Sequence, residues 1–392
     1  MKLKKFVAVA AGLTMAMSLA ACGGGGAGST DTSSSADTSA SSSGGSDSAG
    51  GLIGVAMPTQ TSSRWIADGN AVKKGLEDLG YTVDLEYAND DIPTQQQQVD
   101  QMITKGAKAL IIAAIDGTTL TGQLQTAADK GIPIISYDRL IRNSENVDFY
   151  VTFDNYKVGV QQATSLLVGL GILNKDGSKG SAKGPFNIEL FAGSLDDNNA
   201  YFFFNGAMDT LKPYLDDGTL VVKSGQTDIK QVNILRWQQE TAQKRMEDLL
   251  TSTYNDGSKV QGVLSPYDGL SRGIIQALMN AGYPKTISDG FPIVTGQDAE
   301  IESVKLIADD VQFSTIFKDT RLLANEAVKV AQAYLEGKTP EANDTKTYDN
   351  GKKVVPSYLL ESVIIYKDNI QKELVDSGYW TADEVASGVA KG

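Results

Sequence analysis

The stretch Leu52–Gly80, LIGVAMPTQTSSRWIADGNAVKKGLEDLG, holds a short apolar run, a polar turn and an amphipathic segment, in that order. Leu52–Met57 has the length of one strand. Trp65, Gly69, Val72, Leu76 and Leu79 then recur at 4-3-4-3 spacing, the stripe of one helix face, which closes at Gly80. The same unit follows as Val83–Tyr87 with a helix from Thr94, Ala109–Ala114 with a helix from Thr118, and Ile132–Ser136. Strands alternating with amphipathic helices predict a parallel, doubly wound sheet. The Gln95–Gln98 run falls inside the second helix and reads as a solvated face.

After a break the pattern restarts. A helix from Asn155 to Leu170 precedes strand Asn187–Phe191, helix Asn199–Tyr214, strand Leu220–Lys223, helix Ile234–Leu250, strand Gly262–Ser265, helix Leu270–Ala281 and strand Ile293–Gly296. The fold class is therefore α/β, with two doubly wound parallel-sheet lobes in series. Beyond Gln312–Phe317, a long helix from Asp319 to Leu335 and a late strand near Tyr358–Ile365 have no local partner, so each is expected to return to one of the earlier sheets.

Outside these lobes the chain opens with MKLKK and an apolar run, Phe6–Ala21, the basic-then-hydrophobic order of an export signal over residues 1–21. The signal ends Leu19-Ala20-Ala21-Cys22-Gly23, which resembles a bacterial lipobox and implies lipidation of Cys22. Residues 22–50 are Gly, Ser, Thr, Ala and Asp after that cysteine, too poor in apolar surface to offset the entropy of ordering. Such a coil reaches on the order of 30 Å and serves as a tether. Its GGGGAGST stretch lacks the lysine and preceding strand of a phosphate loop.

One cysteine and no histidine exclude an internal disulfide, the usual zinc sets and haem-histidine sites, so neither metal nor cofactor is expected. The formal charge is −13, and more negative once Lys2, Lys4 and Lys5 leave with the signal. Acidic and basic residues are interspersed over that surplus, which disfavours nucleic acid as a partner, since polyanion binding needs clustered Lys and Arg.

In open parallel sheets ligands collect outside the carboxyl ends of strands. The residues there are Pro58 to Trp65, Tyr137-Asp138-Arg139, Asp196 to Asn199, Arg236-Trp237, Tyr267-Asp268-Gly269, Gln297-Asp298 and Lys318. A neutral sugar presents hydroxyls that donate and accept, with apolar C–H faces on its ring. Alternating Asp, Arg, Lys and Asn with indole faces answers that chemistry. Some of these residues also admit structural roles. Asp268 is placed to cap a helix, Trp65 lies on the helix stripe and can be core, and Asp138-Arg139 can form an ion pair between lobes. Asp116 reads as a loop or cap residue. Asp216-Asp217 and Asp309-Asp310 read as solvated helix ends.

At these positions the sequence resembles the type I periplasmic sugar-binding proteins of ABC importers, most of all the xylose-binding and multiple-monosaccharide-binding branch. The segments that carry the resemblance include AMPTQTSSRW, SYDRLIRN, PFNIELFAGSLDDNNA, LSPYDG, TGQDAE and STIFKDTRLLA. It implies ring contacts from Arg64 and Trp65, hydroxyl binding by Asp138, Arg139, Asp197, Asn199 and Asp298, stacking by Trp237, an added donor in Arg236, and a hinge donor in Lys318. Tyr267 stands where relatives commonly have Asn before the Asp of this segment, so the pocket there is reshaped. The resemblance also implies three crossings between lobes, near Asp154, Lys318 and Pro356. They give an N-terminal lobe of 51–154 plus 318–355 and a C-terminal lobe of 155–317 plus 356–392, joined by a three-stranded hinge that closes on ligand.

The implied partners are a monosaccharide, the importer's permease, and a membrane chemosensor or sensor kinase able to read the same closed form. The membrane itself is reached through the lipid anchor alone. A sugar hydrolase is the enzyme alternative, with Asp197, Asp268 and Asp298 as its carboxylates. The absence of histidine rules out a Ser-His-Asp triad. A sugar-responsive repressor would need a helix-turn-helix where this chain has its signal and tether.

Overall fold

The computed structural model describes residues 50–391; the export signal, Cys22 and nearly all of the Gly/Ser-rich segment lie outside them. The quoted stretch forms strand β1 (Leu52–Met57) and helix α1 (Ser63–Asp78). The helix stops one residue before Leu79, which is its half-exposed C-cap rather than part of the buried stripe. Strand β2 (Thr82–Tyr87), α2 (Ile92–Thr104), β3 (Ala109–Ile112), α3 (Thr121–Asp129), β4 (Ile134–Tyr137) and β5 (Phe149–Phe153) continue the unit. The sequence reading missed β5, because Phe149–Phe153 follows a polar loop and has no helix between it and β4.

The second lobe contains α4 (Asn155–Gly169), β6 (Phe186–Leu190), α5 (Asn199–Asp216), β7 (Leu220–Val222), α6 (Ile229–Val232), α7 (Gln239–Ser252), β8 (Gly262–Leu264), α8 (Asp268–Asn280), β9 (Ile293–Val294) and α9 (Ile301–Ala308). The long helix expected from Ile234 begins only at Gln239. Leu235–Trp237 is a single 3₁₀ turn broken by left-handed backbone at Arg236 and Trp237. Strand β10 (Thr315–Phe317), α10 (Thr320–Leu335), β11 (Ser357–Leu360), β12 (Val363–Ile365) and α11 (Ala382–Ser387) complete the chain.

The first sheet is parallel throughout, in the order β11-β5-β4-β3-β1-β2, and the second is parallel in the order β7-β6-β8-β9. The period of two along β1 splits the first lobe's core. Ile53, Val55 and Met57 pack with the α1 and α10 layer, while Ala56 packs with the α2 and α3 layer. In the second lobe α7 and α8 cover one face and α4 and α5 the other.

The chain passes between lobes at Asp154, and again between β10 and α10. The third passage was placed near Pro356, but β11 pairs in parallel with β5, Ser357 against Tyr150 through Leu360 against Phe153. The crossing therefore moves to Glu361-Ser362, after which β12 runs antiparallel to β10. The single late strand is thus two, one in the first sheet and one beside β10.

The glutamine run is a solvated face only at Gln97, with Gln96 and Gln98 half-buried. Gln95 is buried, donating from Nε2 to the Ala113 carbonyl at 2.9 Å and accepting from Ile115 N–H at 2.9 Å. Gln96 and Gln98 donate to the carbonyls of Thr119 and Tyr87. Gln95 and Gln98 hold backbone just after β3 and at the end of β2, and Gln96 holds the loop before α3.

Helices α4 and α5 meet backbone to backbone. A Cβ at Gly159 would stand 2.0 Å from the Phe203 carbonyl oxygen, and one at Gly206 would stand 2.1 Å from that of Tyr156. Gly206→Ala should therefore force the helices apart and lower the unfolding free energy by about 1–3 kcal/mol, read from the denaturant midpoint. An unchanged midpoint would show that the helices have room for a methyl group.

Candidate functional site

The carboxyl ends of both sheets face one another across a cleft walled by side chains from both lobes and the hinge. Eleven of the twelve binding residues named from sequence line it: Arg64, Trp65, Asp138, Arg139, Asp197, Asn199, Arg236, Trp237, Tyr267, Asp298 and Lys318.

Asp268 is the exception. It is fully buried outside the wall, accepting from Gln312 Nε2 at 2.9 Å, Thr315 Oγ1 at 3.0 Å and Glu300 N–H at 2.9 Å. Burial foremost, and the nearby Glu300 carboxylate, push its own carboxyl well above the usual range. It is not a helix cap either. It is the first residue of α8, and its bonds tie that helix to the loops carrying Asp298 and Lys318.

Charge pairing organises the wall. Arg64 enters on the first turn of α1 and reaches Asp138 in its own lobe and Asp298 in the other, the latter at 3.4 Å. Lys318 approaches from the hinge, with Nζ 3.0 Å from Asp298. Arg139 Nε lies 3.3 Å from Asp197 across the cleft, so the interlobe pairing considered for the Asp138-Arg139 pair falls to Arg139. Arg236 pairs with Asp196 at 2.6 Å. Burial raises Asp138, but the Arg64 and Lys318 cations outweigh it and hold its carboxyl below the ordinary value. At Asp197 burial wins over Arg139, and the carboxyl is raised.

Apolar surface alternates with these charges. Trp65 is both core and wall, with the guanidinium carbons of Arg64 and Arg139 lying 4.8 and 5.1 Å from its ring centroid. Trp237 meets Tyr267 edge to face, with centroids 6.1 Å apart. Tyr267 donates to Glu300 at 2.9 Å, and Glu300 also accepts from Ser62 of the opposite lobe at 2.5 Å. The Tyr267 side chain is therefore a fixed wall where the resemblance implied an altered contact.

Backbone strain aims several of these side chains. Asp138, Arg236, Trp237 and Asp298 all have positive φ, an uncommon state for residues with a Cβ. At Asp138 the turned carbonyl accepts from Tyr150 Oη at 2.6 Å, Thr152 Oγ1 at 3.0 Å and Asn199 Nδ2 at 2.8 Å. Asn199, expected to hold ring hydroxyls, thus spends its amide on an interlobe bond while lining the cavity. A Cβ at Gly193 would stand 1.9 Å from the Trp237 indole, so only glycine leaves room for that ring against the backbone.

The wall also includes Thr59, Thr61, Ser62, Asp90, Phe203 and Gln297, which were not named as binding residues. Three of these lay within the strand-end segment after β1, and Gln297 beside Asp298. Asp90 follows β2, where the same strand-end rule applies. Phe203 is four residues after Asn199 on α5, and so shares its face.

The cleft can surround a small polar molecule with donors and acceptors while its paired charges sum to little net field. The three carboxylates a hydrolase would use are separated in role. Asp197 and Asp298 are ion-paired in the wall, and Asp268 lies outside it. Among the described residues no cluster of three or more potential metal ligands is present.

The chain is similar to known proteins. The family model of the periplasmic binding protein domain matches residues 53–339. The chain is 59% identical over 335 residues to the multiple sugar-binding periplasmic receptor ChvE of Rhizobium radiobacter, covering 86% of this chain and 92% of that protein. It is 34% identical over 335 residues to the D-xylose-binding periplasmic protein of Escherichia coli, covering 85% and 92%. An ABC transporter solute binding protein from Clostridium phytofermentans with bound β-D-glucose matches with a TM-score of 0.79 at 48% identity, covering 85% of this chain and 99% of that one. A carbohydrate transporter solute binding protein from Chloroflexus aurantiacus in complex with D-glucose matches with a TM-score of 0.75 at 37% identity, covering 85% and 98%. Two parallel-sheet lobes, a cleft between their carboxyl ends and a match over most of the folded region agree, and the chain belongs to the periplasmic binding protein domain family.

Proposed function

We propose that this chain is an extracytoplasmic solute-binding protein that closes its lobes on a monosaccharide of the xylose, glucose, galactose or arabinose type and delivers it to an ABC sugar importer. The observation that carries the reading is the wall of mutually paired charges: Arg64 with Asp138 and Asp298, Lys318 with Asp298, and Arg139 with Asp197. Paired charges offer strong donors and acceptors to hydroxyls without the net field that would favour an ion. Trp65, Phe203, Trp237 and Tyr267 supply apolar surface for C–H faces. The sugar ligands of the similar proteins support the same class of ligand. Export and a lipid anchor at Cys22, followed by the tether, would keep the receptor beside a permease.

Three outcomes follow. D-xylose, D-glucose, D-galactose or L-arabinose should raise the melting temperature and alter tryptophan fluorescence, with Arg139→Ala and Asp298→Ala weakening binding by about 1–3 kcal/mol or more, since each leaves a buried partner unsatisfied. Silence across that panel would sink the sugar reading, and variants binding like the parent would show the site misplaced. Gly193→Ala should displace the Trp237 indole and reduce both affinity and the fluorescence response; retention of both would show that the ring is not fixed by this contact. Expressed in a bacterial host, the full chain should partition into detergent, and Cys22→Ser should move it to the aqueous phase. A parent already aqueous would remove the anchor from the proposal.

A further inference from the structure

Asp68 lies one turn after Arg64 on α1, wholly buried yet outside the cavity wall. Its Oδ2 accepts from Arg64 Nε at 3.1 Å, and its Oδ1 accepts from the hydroxyl of Tyr137, which is buried to the same degree. Tyr137 ends β4 and directly precedes Asp138. A carboxylate on the buried stripe of a helix is costly unless compensated, and here the compensation comes from the guanidinium nitrogen that contacts neither wall carboxylate. The guanidinium is planar, so holding Nε fixes the direction of the other two nitrogens. Those two reach Asp298 and Asp138.

We propose that Asp68, oriented by the Tyr137 hydroxyl, is a positioning residue for ligand binding: it fixes the Arg64 guanidinium so that both terminal nitrogens face the cleft. The inference rests on the sugar-binding reading of that cleft.

The groups facing Asp68 are Arg64 from its own helix, Tyr137 from β4, Tyr87 from β2 and Tyr379 from the C-terminal segment, with Asp138 and Asp298 beyond the guanidinium. Burial is the largest influence on its carboxyl and raises it to about 7, against the lowering by Arg64 and the Tyr137 hydroxyl. The sign for binding follows. Above that value the ionised carboxylate holds Arg64, and as pH falls through it the protonated form loosens its hold and affinity drops.

The test is calorimetric titration of the parent and Asp68→Asn with the best sugar of the panel, from pH about 5.5 to 8.5. Asp68→Asn should bind about tenfold to a hundredfold more weakly at the alkaline end, and its affinity should lose the acid fall seen in the parent. In an Arg64→Lys background, adding Asp68→Asn should change affinity by less than about twofold, because the contact it removes is already gone. Tyr137→Phe, which removes one bond and no charge, should weaken binding by about threefold and decides the matter if Asp68→Asn does not fold. Binding equal to the parent in Asp68→Asn, or in Tyr137→Phe if that variant alone folds, would overturn the positioning role. So would an undiminished loss in the Arg64→Lys background. A parent that binds no sugar of the panel overturns the sugar reading itself, a result distinct from either.

Discussion

Arg64 can be buried only because three carboxylates surround it. An unpaired ion in a protein interior costs several kcal/mol, and its side chain is 5% exposed. Asp68 lies on the same helix, Asp138 at the end of β4 and Asp298 after β9 in the other lobe. The guanidinium therefore ties one turn of α1, one sheet end and one loop of the opposite domain to a single point. Lys318, on the hinge and also buried, closes the set against Asp298. Separating the lobes would strip the cross-cleft partner from Arg64 and admit water at once, so the Arg64–Asp298 pair and the arrangement of the two lobes depend on each other.

The geometry needed for that pairing is not relaxed backbone. Asp138, Arg236, Trp237 and Asp298 occupy left-handed conformations that cost of order 1–3 kcal/mol each. At Asp138 the compensation is visible in the three donors that meet its carbonyl, two from β5 and one from α5. Asn155 then donates to the Asn199 side-chain oxygen at 3.0 Å and to Thr152 Oγ1 at 3.2 Å. The turn that aims this wall carboxylate is thus clamped by the strand and helix on either side of the first crossing.

Much of this was legible in the sequence because the strand-end rule is local. Apolar runs end where side chains must change character, so Arg64, Asp138, Asp197 and Asp298 could be read off as a set. What escaped depended on tertiary pairing. Strand β5 has no helix to announce it, and the third crossing moved because β11 reads the same whichever sheet it joins. Asp268 has the same strand-end position as Asp298, and only the bonds from Gln312 and Thr315 turn it away from the cleft. Asp68 carried a signal in its spacing. It sits among Trp65, Val72 and Leu76 on the buried side of α1, and a carboxylate there requires a partner. The partner's identity was hidden, since Tyr137 is distant in sequence and became a neighbour only through the register of β4.

Besides the paired wall charges, a small set of hydrogen bonds joins the lobes. Ser62 meets Glu300 on one side of the cleft, and Glu300 is held from its own lobe by Tyr267 and Arg272. On the other side Gly117 N–H and the Arg142 guanidinium donate to the Asp196 carbonyl, at 3.1 and 3.0 Å, and Arg236 reaches the Ile115 carbonyl at 3.4 Å. A typical intramolecular hydrogen bond contributes only about 0.5–1.5 kcal/mol net. The same groups can bond water when the lobes part, so this small set gives closure little advantage on its own. The wall charges behave differently, because they stay buried only if both lobes and whatever fills the cleft satisfy them together. What fills the cleft, more than lobe-to-lobe contact, therefore decides how well the wall is satisfied.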